Sequence, residues 1–269
     1  MGSGVGGEGL RFLYSGVRWF KRHFVVSIVV MILGLLVGVF AALAILASVE
    51  EIVVARRIPP ELIMIPAAIV YVLSIIPRVL YYLGARDASK CFDRLHGYAR
   101  ASLILLLYSV VATPLVLVVV HWLVSEANRV LEATQDWVTV REHVGRVNFI
   151  VSALNVVVSI TATLIAIYLV GVFRDIGELL VLTARMKRGE EGKWPVFGGE
   201  FATMLRDASS FLTWSYVVSI LEAVVRPFSP PLSFALSIVV LVLYIVGVAR
   251  GIKGLSEIET TIAHHLFHM

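Results

Sequence analysis

Among its 269 residues the chain has a single cysteine, one glutamine (Gln135) and three asparagines (Asn128, Asn148 and Asn155). Cys91 alone excludes an intrachain disulfide. The scarcity of thermolabile amides suggests a thermophilic source. Charge is scarce too: 16% of residues are charged, against about 25% in an ordinary soluble domain. Hydrophobic residues reach 59%, more than a soluble globule of this length can hide from water. The formal net charge is +4, but the basic residues are interleaved with apolar runs and not gathered on one face, which excludes a nucleic-acid surface. No P-loop, HExxH or GxSxG occurs, so the signatures of nucleotide, zinc-protease and serine-hydrolase chemistry are missing.

What is present is a set of long apolar runs, each long enough to cross a hydrocarbon core of about 30 Å at about 1.5 Å per residue. We read one all-α membrane domain over 1–269, a polytopic bundle of six spans at 24–48, 62–83, 101–124, 147–173, 208–227 and 232–249. A cytoplasmic amphipathic segment, 174–210, lies between the fourth and fifth. Residues 1–23, with Arg11, Arg18, Trp19, Lys21 and Arg22, read as an interfacial anchor. The apolar run after His23 exceeds the 7–15 residues of a signal peptide, so it reads as a retained span. Gly6 stands where a myristoylation signal wants Ser or Thr.

The even-numbered spans end alike. Ile165–Ile176 (IAIYLVGVFRDI) sets without a gap on Leu241–Ile252 (LVLYIVGVARGI), matching Tyr168, Gly171 and Arg174 to Tyr244, Gly247 and Arg250. A looser copy, YYLGARDASKCF from Tyr81 to Phe92, again closes an apolar run with small residues and Arg86-Asp87. The pattern suggests three parallel helical hairpins, a known plan of internal symmetry in membrane carriers.

Candidate features inside the spans are few. Gly34, Gly38 and Ala42 recur every four residues and would clear a ridge for helix packing. Pro66 and Pro77 fall on nearly one face of the second span, and Pro114 lies within the third. Asn155, Ser159 and Thr163 step along one face of the fourth, a substrate path or a set of interhelical hydrogen bonds. No charge is expected at mid-membrane depth. Glu222 and Arg226, four apart, are expected to pair at the outer boundary. Thr139 with Glu142 has the form of a capping box opening the fourth span's helix, and 84–100 reads as a short solvated helix. His121 and Trp122 read as boundary anchors, and Trp194 and Phe197 as headgroup contacts. His264 and His268 share a helix face with Glu257 and Thr261 but lack a third ligand in sequence, so the segment reads as a solvated tail. No catalytic residue, cofactor-binding residue or metal site is assigned.

Orientation follows from charge. Arg11, Arg18, Lys21, Arg22, Arg78, Arg86, Lys90, Arg94, Arg100, Arg174, Arg185, Lys187, Arg188, Lys193, Arg206, Arg250 and Lys253 fall on one side. Arg56, Arg57, Arg129, Arg141, Arg146 and Arg226 fall on the other. By the positive-inside rule both termini face the cytoplasm of a multi-pass cell-membrane protein. The order of basic first segment, small-xxx-small span, YYLGARDASKCFDRLHGYA hinge and LYIVGVARGIKGL ending resembles an uncharacterised family of archaeal multi-span membrane proteins. That resemblance implies an integral membrane protein and brings no site residues with it.

The sequence thus favours a non-enzymatic membrane protein, an oligomer or the membrane subunit of an assembly, with lipids and other membrane subunits as partners. The alternative is a small-molecule or ion transporter or channel, motivated by the hairpin repeat, the prolines and the Asn155 face. An enzyme acting on lipid headgroups at Arg174, Asp175 or Glu178 ranks below both.

Overall fold

In a computed structural model the chain is described over residues 7–47, 61–133, 137–186, 195, 197, 199–226 and 228–267. Among the described residues it forms six long helices: α1 Gly7–Ala47, α2 Glu61–Cys91, α3 His96–Ala133, α4 Trp137–Met186, α5 Glu200–Val225 and α6 Pro230–Phe267. A single 3₁₀ turn, Asp93–Leu95, joins α2 to α3. All six helices are long and apolar enough to cross a membrane. The chain therefore has the build of a multi-pass membrane protein.

The helices pair as three antiparallel hairpins, α1–α2, α3–α4 and α5–α6. Each hairpin packs on the next, and α6 returns to α1 to close the ring. Close approach inside the hairpins relies on glycine. A Cβ on Gly16 of α1 would stand 2.9 Å from the backbone nitrogen of Ala88 in α2. Gly247 of α6 receives the Leu212 side chain of α5 in the same way, at 2.8 Å.

The helices run well past the spans at the end where most basic residues lie, here called the basic end. There they pack solidly. Leu13, Val17 and Phe20 of α1, Ala85 and Ala88 of α2, Val172 and Ile176 of α4, Leu205 of α5, and Val248, Leu255, Ile258 and Ile262 of α6 are all fully buried in one continuous core. Toward the far end this core stops. Beyond Phe24, α1 has no described buried residue up to Ala47, and α2 has none on the far side of Pro77. Leu35, Phe40, Ile65, Val72, Val111 and Val118 are exposed there as lipid-facing surface.

Several expectations are revised. Residues 7–23 are the first turns of α1, with Leu10, Leu13, Val17 and Phe20 in the core. The hinge is not a separate solvated helix: α2 continues to Cys91, and Asp87 is buried, because the helix passes between α1 and the rest of the core. Residues 174–186 are not a separate helix. They continue α4 without a break, burying Ile176 and Leu180. The last turns are not a frayed tail either, since α6 carries Leu255, Ile258 and Ile262 into the core.

Smaller corrections follow. Phe197 packs on Phe201, ring centroids 5.6 Å apart, against the core and not outward. The α4 helix is already under way at Trp137, ahead of the expected cap at Thr139. A Cβ on Gly34 would come only within 4.0 Å of Val70, and one on Gly38 would meet nothing, so this ridge is not a tight packing face within the chain. The fifth span is one helix of 26 residues, and Pro230-Pro231 sit in the first turn of α6, where the missing N–H costs no hydrogen bond.

Candidate functional site

Where the core stops, the ring encloses an axial cavity of about 350 Å³. Every helix contributes to its wall: Ser27 and Met31 of α1, Ser74 and Arg78 of α2, Ser102 and Leu105 of α3, Thr163 and Ala166 of α4, Tyr216 of α5 and Tyr244 of α6. Its floor is aromatic. Phe24 and Phe173 lie 5.0 Å apart between ring centroids, Phe20 packs edge-on to both Phe173 and Tyr81 at 5.2 Å, and His23 packs edge-on to Tyr81 at 5.2 Å. Phe20, Phe24 and Phe173 are fully or almost fully buried, so the floor seals the cavity from the basic end. On the far side of the cavity α1 beyond Phe24 and α2 beyond Pro77 have no described buried residue.

Local sequence explains how this floor is held. The ring of Phe20 can enter α2 because residue 84 has no side chain: a Cβ there would lie 2.9 Å from Phe20 Cδ1. Phe24 likewise rests over Gly251 of α6, where a Cβ would come within 2.7 Å of Phe24 Cε2. The Tyr81 hydroxyl crosses the ring and donates to the carbonyl of Leu169 at 2.6 Å. His23 Nδ1 lies 2.8 Å from the carbonyl of Pro77, and since a carbonyl only accepts, Nδ1 carries the proton of that bond.

Below the floor the even helices end in matching clamps. Arg86 Nη2 donates to Asp87 Oδ1 at 3.2 Å, and Ser15 of α1 donates to Asp87 Oδ2 at 2.9 Å. Arg174 Nη2 donates to Asp175 Oδ1 at 3.5 Å, and Tyr98 of α3 donates to Asp175 Oδ2 at 2.9 Å. Both carboxylates are buried but fully engaged, each tying an even helix to its hairpin partner. The third hairpin has Gly251 in place of the aspartate, and Phe24 fills the space. A different pair closes the ring there: Lys21 Nζ of α1 lies 2.6 Å from Glu259 Oε2 of α6.

The chemistry of the cavity lining is unbalanced. It contains one permanent cation, Arg78, the half-buried His23, and no carboxylate. Among the described residues Arg78 has no ion pair, and the Tyr216 phenol shares the cavity wall with it. It stands about 12 Å along α2 from Arg86, at about 1.5 Å per residue. Sequence reasoning counted Arg78 with the basic side and placed no charge deeper in the spans. The structure instead turns it into the axis of the bundle. A signal was available: Arg78 interrupts the apolar run directly after Pro77, well short of the exit motif that closes the helix.

Of the residues singled out from sequence, Thr163 and Pro77 line the cavity, whereas the side chains of Asn155 and Ser159 lie outside the described residues. Glu222 and Arg226 pair as expected: Arg226 Nη2 donates to Glu222 Oε1 at 2.8 Å, and Ser233 at the start of α6 donates to the same oxygen at 2.6 Å. This site is at the far end, away from the cavity, and it fixes the α5–α6 turn. Arg174 and Asp175 are committed to their clamp. Glu178 lies on a surface recess of about 400 Å³ with Arg174 and Arg206. His121, Trp122 and His264 are exposed, and His268, Lys187, Arg188, Lys193 and Trp194 lie outside the described residues. Comparison with known protein families, curated proteins and solved structures finds no match.

Proposed function

We propose that the protein is a membrane carrier that holds a small molecule in the axial cavity and releases it across the aromatic floor. One observation carries this reading: all six helices contribute to one mainly apolar cavity that holds a cation, Arg78, and is floored toward the basic end by buried aromatic rings. A subunit held in an assembly by its outer helix surfaces needs no hollow axis, and an apolar core there would be the more stable filling. Substrate sites near the midplane between hairpin repeats, shut alternately at either end, are the general plan of such carriers. The cavity volume falls at the lower end of the range of about 300–1,000 Å³ for small-molecule sites.

The test is two-sided access. In a Cys91→Ala background, Ser74→Cys places a thiol in the cavity wall. A membrane-impermeant thiol reagent is expected to reach it from the far side quickly and from the basic side more slowly, as the floor opens in a minority of molecules. Reaction from neither side would mean a sealed packing void. Reaction from the far side alone would mean a binding site without transport.

A further inference from the structure

We infer that the occupant of the cavity is an organic anion, a single negative group on an apolar body, whose charge is met by Arg78. This deepens the carrier reading and rests on it.

Three observations converge. First, Arg78 is a cation on the cavity wall with no carboxylate among the lining residues to neutralise it. An ionisable side chain within a span is costly and is kept where a partner or pathway requires it. Second, packing does not demand it. Counting eight residues back from the arginine of the exit motif reaches Arg78 in α2 and Ala166 in α4. Ala166 lines the same cavity, so the fold accepts a small apolar residue at this place and the cation is particular to one hairpin. Third, the rest of the wall suits an apolar body: Met31, Leu105 and Leu169 beside the Phe24 and Phe173 rings. A guanidinium offers a planar fork matched to a carboxylate or phosphate oxygen pair.

The same chemistry could come from a free organic acid or from an acidic lipid whose headgroup enters between two of the helices. Both present a negative group on an apolar body, and the experiment separates them.

The full-length protein in phosphatidylcholine nanodiscs is titrated with three probes of one shape, 3-phenylpropionate, 3-phenylpropanol and 3-phenylpropylamine, with binding read by calorimetry. The expected order is acid above alcohol above amine. Arg78→Met should weaken the acid roughly tenfold to a hundredfold while leaving the alcohol within a few-fold, and Arg78→Lys should recover part of the loss. Thermal stability guards against a folding artefact. An unpaired cation held for a ligand predicts that Arg78→Met melts no lower than the native protein, whereas a structural arginine would lower it.

If acid, alcohol and amine bind alike and Arg78→Met changes nothing, the anion assignment is overturned while the cavity remains a binding site. If none of the three binds the native protein, the carrier reading fails with it; if they bind but the cavity-filling Ala166→Trp leaves every titration unchanged, they do not enter the cavity and the anion assignment is overturned. A second arm adds phosphatidylglycerol to the nanodiscs. Competition with 3-phenylpropionate that disappears in Arg78→Met identifies the lipid as a source of the anion; no competition leaves the free acid.

Discussion

A glycine in this bundle matters according to what faces it. Gly16 looks straight onto the backbone of α2, with Ala88 N at 2.9 Å and Gly84 O at 3.0 Å from where its Cβ would be. Main-chain atoms in a continuous core cannot swing aside as a side chain can, so Gly16→Ala must push α1 away from α2. We expect a cost of about 1–3 kcal/mol, the scale of overpacking in a close-packed interior. Gly38→Ala, with nothing within 4 Å, should stay within about 0.5 kcal/mol of the native protein. Thermal unfolding in detergent compares the two, and equal melting temperatures would show that the hairpin does not close on Gly16. The contrast also marks a limit of reading small residues from spacing. Gly34 and Gly38 have the right period but face open space, whereas Gly84, Gly247 and Gly251 sit in the exit motifs and admit Phe20, Leu212 and Phe24. The motif was legible in the chain. Which residue of another helix each glycine receives depends on pairing that one-dimensional spacing does not encode.

At the scale of the elements, the apolar runs disclosed all six helices, because a helix that meets lipid must be apolar on every side and that signal is long and strong. The aqueous extensions were harder to read. Their buried stripes, such as Leu255, Ile258 and Ile262 in α6, are interrupted by charge and resemble a surface helix in sequence. The structure makes them core, and this can be tested against the ion pair beside them. Ile258 is fully buried, so Ile258→Ala should cost about 2–5 kcal/mol. Glu259, one residue on, pairs with Lys21 at 2.6 Å, but those side chains are 22% and 29% exposed. Glu259→Gln should therefore cost less than about 1 kcal/mol, and its effect should shrink further with added salt. Melting temperatures of the two variants decide. A small loss for Ile258→Ala would mean that the end of α6 does not belong to the folded bundle. Arg78 failed to register for a related reason: a basic residue near a span's end reads as a boundary anchor until the facing helices show that it points inward.

For the molecule as a whole, the informative property is its asymmetry along the axis. The basic end is solid, clamped by Asp87 and Asp175 and closed by Lys21 and Glu259, while beyond the cavity α1 and α2 have no described buried residue. A carrier standing in this form offers its cavity to whichever compartment the far end faces. By the positive-inside rule the solid end is expected to face the cytoplasm, since with Arg78 set aside in the cavity it holds sixteen of the 23 lysines and arginines by sequence. The prediction is one of shared sidedness. In a Cys91→Ala background, thiols placed at the exposed basic-end positions Arg206 and Thr260 should resist an impermeant reagent in intact cells and react after permeabilisation. Thiols at the exposed far-end positions Glu132 and Phe228 should react without permeabilisation. If both pairs reverse together, the hairpin ring stands but the cavity opens to the cytoplasm, and any anion it takes is drawn from the cell interior. If members of one pair divide between the two sides, the alternating passage of the six helices is itself wrong, and with it the single axis on which Arg78, the aromatic floor and the clamps are stacked.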